Sequence, residues 1–272
     1  MTVLDAPADA GFPGRAALRR HGVLIGRLAL AALLVAGWHV LAGAIGPLYV
    51  AAPLAVVERI AADLGSGELI RHSYVTLRLS AIGFAIGCAA GVVLPFVLRR
   101  MPRLTAAIEP YILASVGIPK YALMPLFILW AGIDDAPKLL LVGVLVFYVV
   151  FIAVFAGIRS VDRKLVTMAR VLGASEMAIS RHVVWKSLTP FFLAALKIAL
   201  PRAVSATIIG EFLVGNAGLG YYIENARQMV DIAGVFAGIV VSIIIVLAIN
   251  ALLTLLDRRV NAWRPVDRDM RL

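Results

Sequence analysis

The sequence predicts an all-α, polytopic membrane protein with six transmembrane helices and both ends in the cytoplasm (N-in, C-in). Three observations carry that prediction. Of the 272 residues, 62% are hydrophobic and the mean hydropathy is +0.95, against roughly 45–50% apolar residues in soluble domains. The apolar residues gather in six runs, 28–46, 75–98, 105–131, 139–158, 188–214 and 232–256, close to the ~20 residues needed to cross a hydrocarbon core of roughly 30 Å. Finally, threading the chain from the cytoplasm puts 18 of the 26 Lys and Arg in cytoplasmic segments. The outer loops hold four (Arg59, Arg71, Lys138, Arg227), and four more (Arg78, Lys120, Lys197, Arg202) fall inside spans. That is the positive-inside asymmetry. The net charge of +10 therefore reports topology, not a nucleic-acid surface.

Taken in order, residues 1–27 form a cytoplasmic tail, mobile over 1–20, ahead of a transmembrane domain at 28–256 and a cytoplasmic tail at 257–272. Arg15, Arg19 and Arg20 before the first run resemble the start of a signal peptide. The run is longer than a signal core and no convincing cleavage site follows, so it is read as a retained span. His39 within it is expected to be packed and hydrogen-bonded. In 52–72, Val56, Val57, Ile60, Ala61 and Leu64 recur at helical spacing while Glu58, Arg59 and Asp63 lie off the stripe, predicting a short helix on the outer surface. In span two, Gly83, Gly87 and Gly91 predict a tight helix–helix seam, because helices in lipid associate through close backbone approach.

Spans three and five are irregular. Pro110, Pro119 and Pro125 interrupt the third, and Pro201 with Lys197, Arg202 and Glu211 interrupts the fifth. Broken helices occur in membranes where they are buried in protein or line a cavity. Pro119, Lys120, Pro125, Lys197, Arg202 and Glu211 are therefore the candidate translocation path. The plainer alternatives are an ion pair, such as Arg202 with Glu211, or snorkelling. Span four, "LLLVGVLVFYVVFIAVFAGI", has no polar face, unlike a helix of a soluble core. "GNAGLGYY" (215–222) lacks the Lys and Ser/Thr of a phosphate-binding loop and reads as a tight outer turn. Cys88 is the only cysteine, which excludes an internal disulfide.

The segment 160–188 breaks the hydrophobic pattern. Ser160 is positioned to cap a first helix running to Arg170–Leu172, with Asp162 in its first turn. Gly173 suits the left-handed position that ends it. Ser175 caps a second helix to about Lys186, after which Thr189-Pro190 gives a cap and a first-turn proline for span five. Val166, Ala169 and Leu172 fall on one stripe away from Arg163 and Arg170. A purely solvated loop has no use for an apolar face; a docking surface for a soluble partner has.

"TMARVLGAS" (167–175) resembles the coupling loop of ABC importer permeases, whose pattern is E-A-A-x-x-x-G followed later by an apolar residue, x and L-P. Ala169, Gly173, Ala174, Ser175 and Val183 match, with Arg170 and Leu172 between them. Thr167 stands in place of the acid, Trp185-Lys186 in place of Leu-Pro, and Ser180 in place of a usual aromatic. "GELIRHSYVTLRLSAIGFAIG", "IPKYALMPLFILWAGI" and "GEFLVGNAGLGYYI" are similar to the branch importing sulfonates, taurine and nitrate. The resemblance implies a type I ABC importer permease fold. It also implies a second permease copy forming a homodimer, two copies of an ATPase subunit and an extracytoplasmic solute-binding protein, in a bacterial inner membrane. The implied cargo is a small organic or inorganic anion.

The sequence holds no G-x-x-x-x-G-K-[ST], so no ATP or other cofactor is expected on this chain, and the fuel site is expected on the partner. A stand-alone carrier would need internal repeats and midplane carboxylates, and no convincing inverted repeat is present. A membrane enzyme would need clustered His, Asp or Glu; the four histidines are scattered.

Overall fold

A computed structural model of the chain describes the backbone of residues 13–260 and, within it, the side chains of 25–112 and 114–255. The expected tails up to residue 12 and from residue 261 lie outside the described residues. Every regular element among the described residues is helical. They are α1 (Pro13–Ile45), α2 (Pro53–Gly65), α3 (Glu68–Arg99), α4 (Pro102–Ser115), a 3₁₀ turn (Lys120–Leu123), α5 (Met124–Ala131), α6 (Asp135–Arg159), α7 (Arg163–Val171), α8 (Glu176–Ile179), a π-turn (Ser180–Val184), α9 (Trp185–Val214), α10 (Leu219–Gln228) and α11 (Ile232–Val260). Residues 13–20, expected in a mobile tail, belong to α1.

Five stretches among the described residues are long and apolar enough to cross a membrane: Ile25–Ile45, Glu68–Arg99, Asp135–Arg159, Glu176–Val214 and Ile232–Leu255. The third run is the broken one. Pro119 has no N–H and biases Ile118 away from helical geometry, so the chain leaves α4 at Ser115 and re-enters helix at Lys120. Pro125 sits in the first turn of α5, where its missing donor costs nothing.

The core is built on α3, α6 and α9. Val142, Val146, Val150 and Val154 lie four residues apart, hence on one face of α6, and pack with Ala199, Ala203 and Ala206 of α9. Ile179, Val184 and Leu188 close this cluster at the end carrying α7 and α8. The glycine seam is as predicted. A Cβ on Gly83 would sit 2.6 Å from Val142 Cγ1 and one on Gly91 2.9 Å from Val150 Cβ, while one on Gly87 would run into the Gly143 carbonyl. Only hydrogen fits there, and α3 and α6 approach backbone to backbone.

α2 corrects its predicted stripe. Val56 is buried and Ile60 packs inward, but Val57 and Leu64 are exposed, and Asp63, placed off the stripe by the sequence, is buried. The inward face is set by what Asp63 bonds to. His39 is exposed on α1; its neighbour Trp38 donates from Nε1 to the Ala51 carbonyl at 3.0 Å and stacks on Phe236 at 5.7 Å.

Candidate functional site

Two polar assemblies stand at opposite ends of the helices. The first is the loop α7–α8. Asp162, not Ser160, caps α7: its carboxylate accepts from Lys164 N at 2.8 Å. Ser160 instead donates to the Gly157 carbonyl within the end of α6. α7 then stops in a Schellman turn. Gly173 has φ +79°, its N–H donates to Arg170 O at 2.9 Å, and Ala174 N–H donates to Ala169 O at 3.0 Å. These bonds satisfy carbonyls that the helix end leaves open. Ser175 accepts from Ala178 N and starts α8. Arg170 and Glu176 pair across the hinge at 2.8 Å. Arg99, from the end of α3, donates to Ser180 Oγ at 2.9 Å and lies 3.9 Å from Glu176.

The second helix does not end near Lys186. α8 runs through the π-turn into α9 without a break, and Thr189 and Pro190, expected as a cap and first-turn proline, lie inside α9. Thr189 turns its hydroxyl back to Trp185 O at 2.8 Å, a bond available only within a helix. The wider π-turn joins α8 to α9 with no break in the helix, its last bond running from Trp185 N–H to Ser180 O.

The expected apolar stripe divides. Val166 and Ala169 pack against the chain's own core, whereas Leu172 is 80% exposed and Val171 82%. Leu165, Met168 and Met177 are also exposed. The sequence pattern missed this because α7 has two apolar edges: one seats the loop on the transmembrane core and the other faces out. A cavity of about 430 Å³ opens beside the second edge, and Ala169, Leu172 and Val183, separated in sequence, line it together with Leu165, Met168 and Lys186.

The second assembly surrounds Glu211 at the far end of α9. The first turn of α10 offers backbone donors with no helical acceptor. Gly218 N–H donates to His72 Nδ1 at 3.0 Å, Leu219 N–H to Thr76 Oγ1 at 2.8 Å and Gly220 N–H to Glu211 Oε2 at 3.0 Å. Thr76 donates to the Glu211 carboxylate at 2.8 Å, and Ser80 donates to Thr207 at 2.8 Å one turn away. Gly218 (φ +104°) and Gly220 are required here, since a Cβ on Gly218 would collide with the Glu211 carboxylate and one on Gly220 with the Ile208 carbonyl. Beside this cluster Asp63 accepts from the Tyr222 hydroxyl and from Arg59 Nε at 2.7 Å, and Arg59 reaches Asp231 at 2.8 Å. Burial and the Asp63 bond push the Tyr222 phenol up, and the Asp63 bond raises Arg59 further. α2, α10 and the start of α11 are thereby tied together.

The six path residues do not form one cluster. Glu211 is buried among Thr76 and the α10 turn, not paired with Arg202, which is exposed on α9. Lys120 Nζ is 3.0 Å from Val116 O and 3.3 Å from Ile118 O, over the Tyr148 ring at 4.3 Å. It collects carbonyls freed where α4 breaks. Pro119 precedes the 3₁₀ turn and Pro125 opens α5; Lys197 is half-buried on α9. Sequence reasoning passed over Thr76, His72 and Asp63, whose partners lie far along the chain, and Lys138, buried on α6 and paired with Asp135 at 2.9 Å.

Comparison with known proteins gives this architecture a family. Residues 81–262 match the family described as binding-protein-dependent transport system inner membrane component. The chain is 31% identical over 230 residues to a Brucella abortus protein named as a probable ABC transporter permease, covering 85% of this chain and 92% of that one. It is 31% identical over 262 residues to SsuC of Bacillus subtilis, named for aliphatic sulfonates transport, covering 96% of this chain and 94% of that one. Its fold is similar to a crystal structure of an amino acid ABC transporter, with a TM-score of 0.61 at 18% identity over 73% of this chain and 97% of that one. The chain thus belongs to the binding-protein-dependent transport system inner membrane component family, the permease subunits of ABC importers.

Proposed function

We propose that this permease subunit works as two copies in a bacterial inner membrane, driven by a separate ATPase that docks on α7 and receiving its solute from an extracytoplasmic binding protein. The observation that carries this reading is the outward edge of α7. Apolar side chains on a span face lipid and need no other explanation. Val171 and Leu172 lie on the loop outside the spans, yet stand 82% and 80% exposed. Full burial of such a side chain stabilises by about 1.5–3 kcal/mol, so a partner that covers this edge gains affinity from it. The Schellman turn at Gly173 and the Arg170–Glu176 pair keep the edge rigid, as a lever must be. The similarity to SsuC supports an anion such as an aliphatic sulfonate as the cargo.

Site-directed crosslinking tests the docking. Cysteines placed at Met168 and Leu172 should crosslink in high yield to the coexpressed ATPase, while one at Tyr49, exposed at the other end of the molecule, should not. No crosslink from any position in 165–180 would reject the docking site.

A further inference from the structure

A groove of about 730 Å³ lies over the junction between the end of α3 and the turn that leads into α9. Val92, Val93, Phe96 and Val97 form its apolar wall on α3, and Trp185 of α9, in contact with Phe96, adds to it. At its cytoplasmic end lie Arg100 and Arg181. Their neighbour Arg99 is committed to Ser180 and Glu176, but among the described residues neither Arg100 nor Arg181 has a side-chain hydrogen bond or an ion pair. We propose that this groove binds one anionic phospholipid of the cytoplasmic leaflet, with an acyl chain along the apolar wall and the headgroup phosphate held between Arg100 and Arg181.

The position argues for a lipid. α3 ends at Arg99, so the Val92–Val97 wall occupies its last turns in the hydrocarbon and Arg100 lies at headgroup depth, where arginine places its charge. Trp185 packs against Phe96 at 5.9 Å, and an indole at this level marks the interface. The charge argues for an anionic one. The groove is lined by two guanidinium groups and by no carboxylate, and basic pockets between transmembrane helices on the cytoplasmic side select anionic headgroups. A second copy of this chain fits poorly, because a two-fold contact through this face brings the same uncompensated arginines together. The groove also touches Met177 and Ser180, so a lipid seated here braces the loop against α3.

Native mass spectrometry of the full-length chain, with phosphatidylglycerol or phosphatidylcholine added, tests this. Phosphatidylglycerol should be retained in preference to phosphatidylcholine. R100A/R181A should weaken phosphatidylglycerol retention by roughly thirtyfold, at about one kcal/mol per arginine, and leave phosphatidylcholine unchanged. R100K/R181K should keep most of the preference. V93W, which fills the groove and leaves both arginines in place, should reduce retention as well. Equal retention of the two lipids, or full phosphatidylglycerol retention by R100A/R181A, overturns the proposal. So does an efficient V93C–V93C crosslink between copies, which would make the groove a subunit interface.

Discussion

Single side chains hold the two ends of this molecule by satisfying backbone groups that helix breaks leave open. Thr76 is the clearest case. Its one hydroxyl donates to Glu211 and accepts from Leu219 N–H, joining α3, α9 and α10. Thr76→Val keeps the shape and removes both bonds, and each buried partner left unsatisfied costs about 1–3 kcal/mol. Thermal melting of the purified chain should show a clear fall for Thr76→Val and a near-native midpoint for Thr76→Ser, which retains the hydroxyl. Equal loss in both variants would mean that the methyl group, not the hydrogen bonding, matters at this position. Lys120 plays the matching part at the break before the 3₁₀ turn, which explains an intramembrane charge without assigning it to solute.

Among the elements, α7–α8 is the one to which the proposed function assigns the docking, and its hinge is a question of backbone geometry. A Cβ on Gly173 would meet nothing within 4 Å, yet φ is +79°, so a substitution there fails through conformation and not through space. Gly173→Leu should insert normally, retain ATP hydrolysis by the assembled complex and lose most solute uptake. Gly173→Asn, whose side chain tolerates this region, should keep uptake. Normal uptake by Gly173→Leu would remove the hinge from the mechanism. Much of this element was legible in the sequence, because Gly173 and Ser175 act through local geometry that residue type reports. What was not legible depended on contacts across the chain. Asp162 displaced Ser160 as the cap, the helix ran on through Pro190, and Val166 and Ala169 turned inward because a core was there to receive them. Likewise the α2 stripe misled, since Asp63 faces in to meet Tyr222 from α10.

For the whole molecule, rigidity and mobility are divided. The α3–α6 seam excludes any side chain at Gly83, Gly87 and Gly91, and α9 packs on the same valine face. The proposed function therefore predicts that these helices move as one body when the loop is displaced. Arg99 links that body to the hinge through Ser180, the connection through which the proposed function would pass a push on α7 to the spans. A ligand or partner shifts such an equilibrium only by its differential affinity for the two states, and the function proposed above assigns that difference to a separate ATPase. Solute flux into vesicles is the most direct measure of this claim. Vesicles holding the purified chain alone should show no uptake of the solute presented by its binding protein, and vesicles holding the chain with its ATPase and internal ATP should accumulate it. Sustained solute flux through the chain alone would contradict the account.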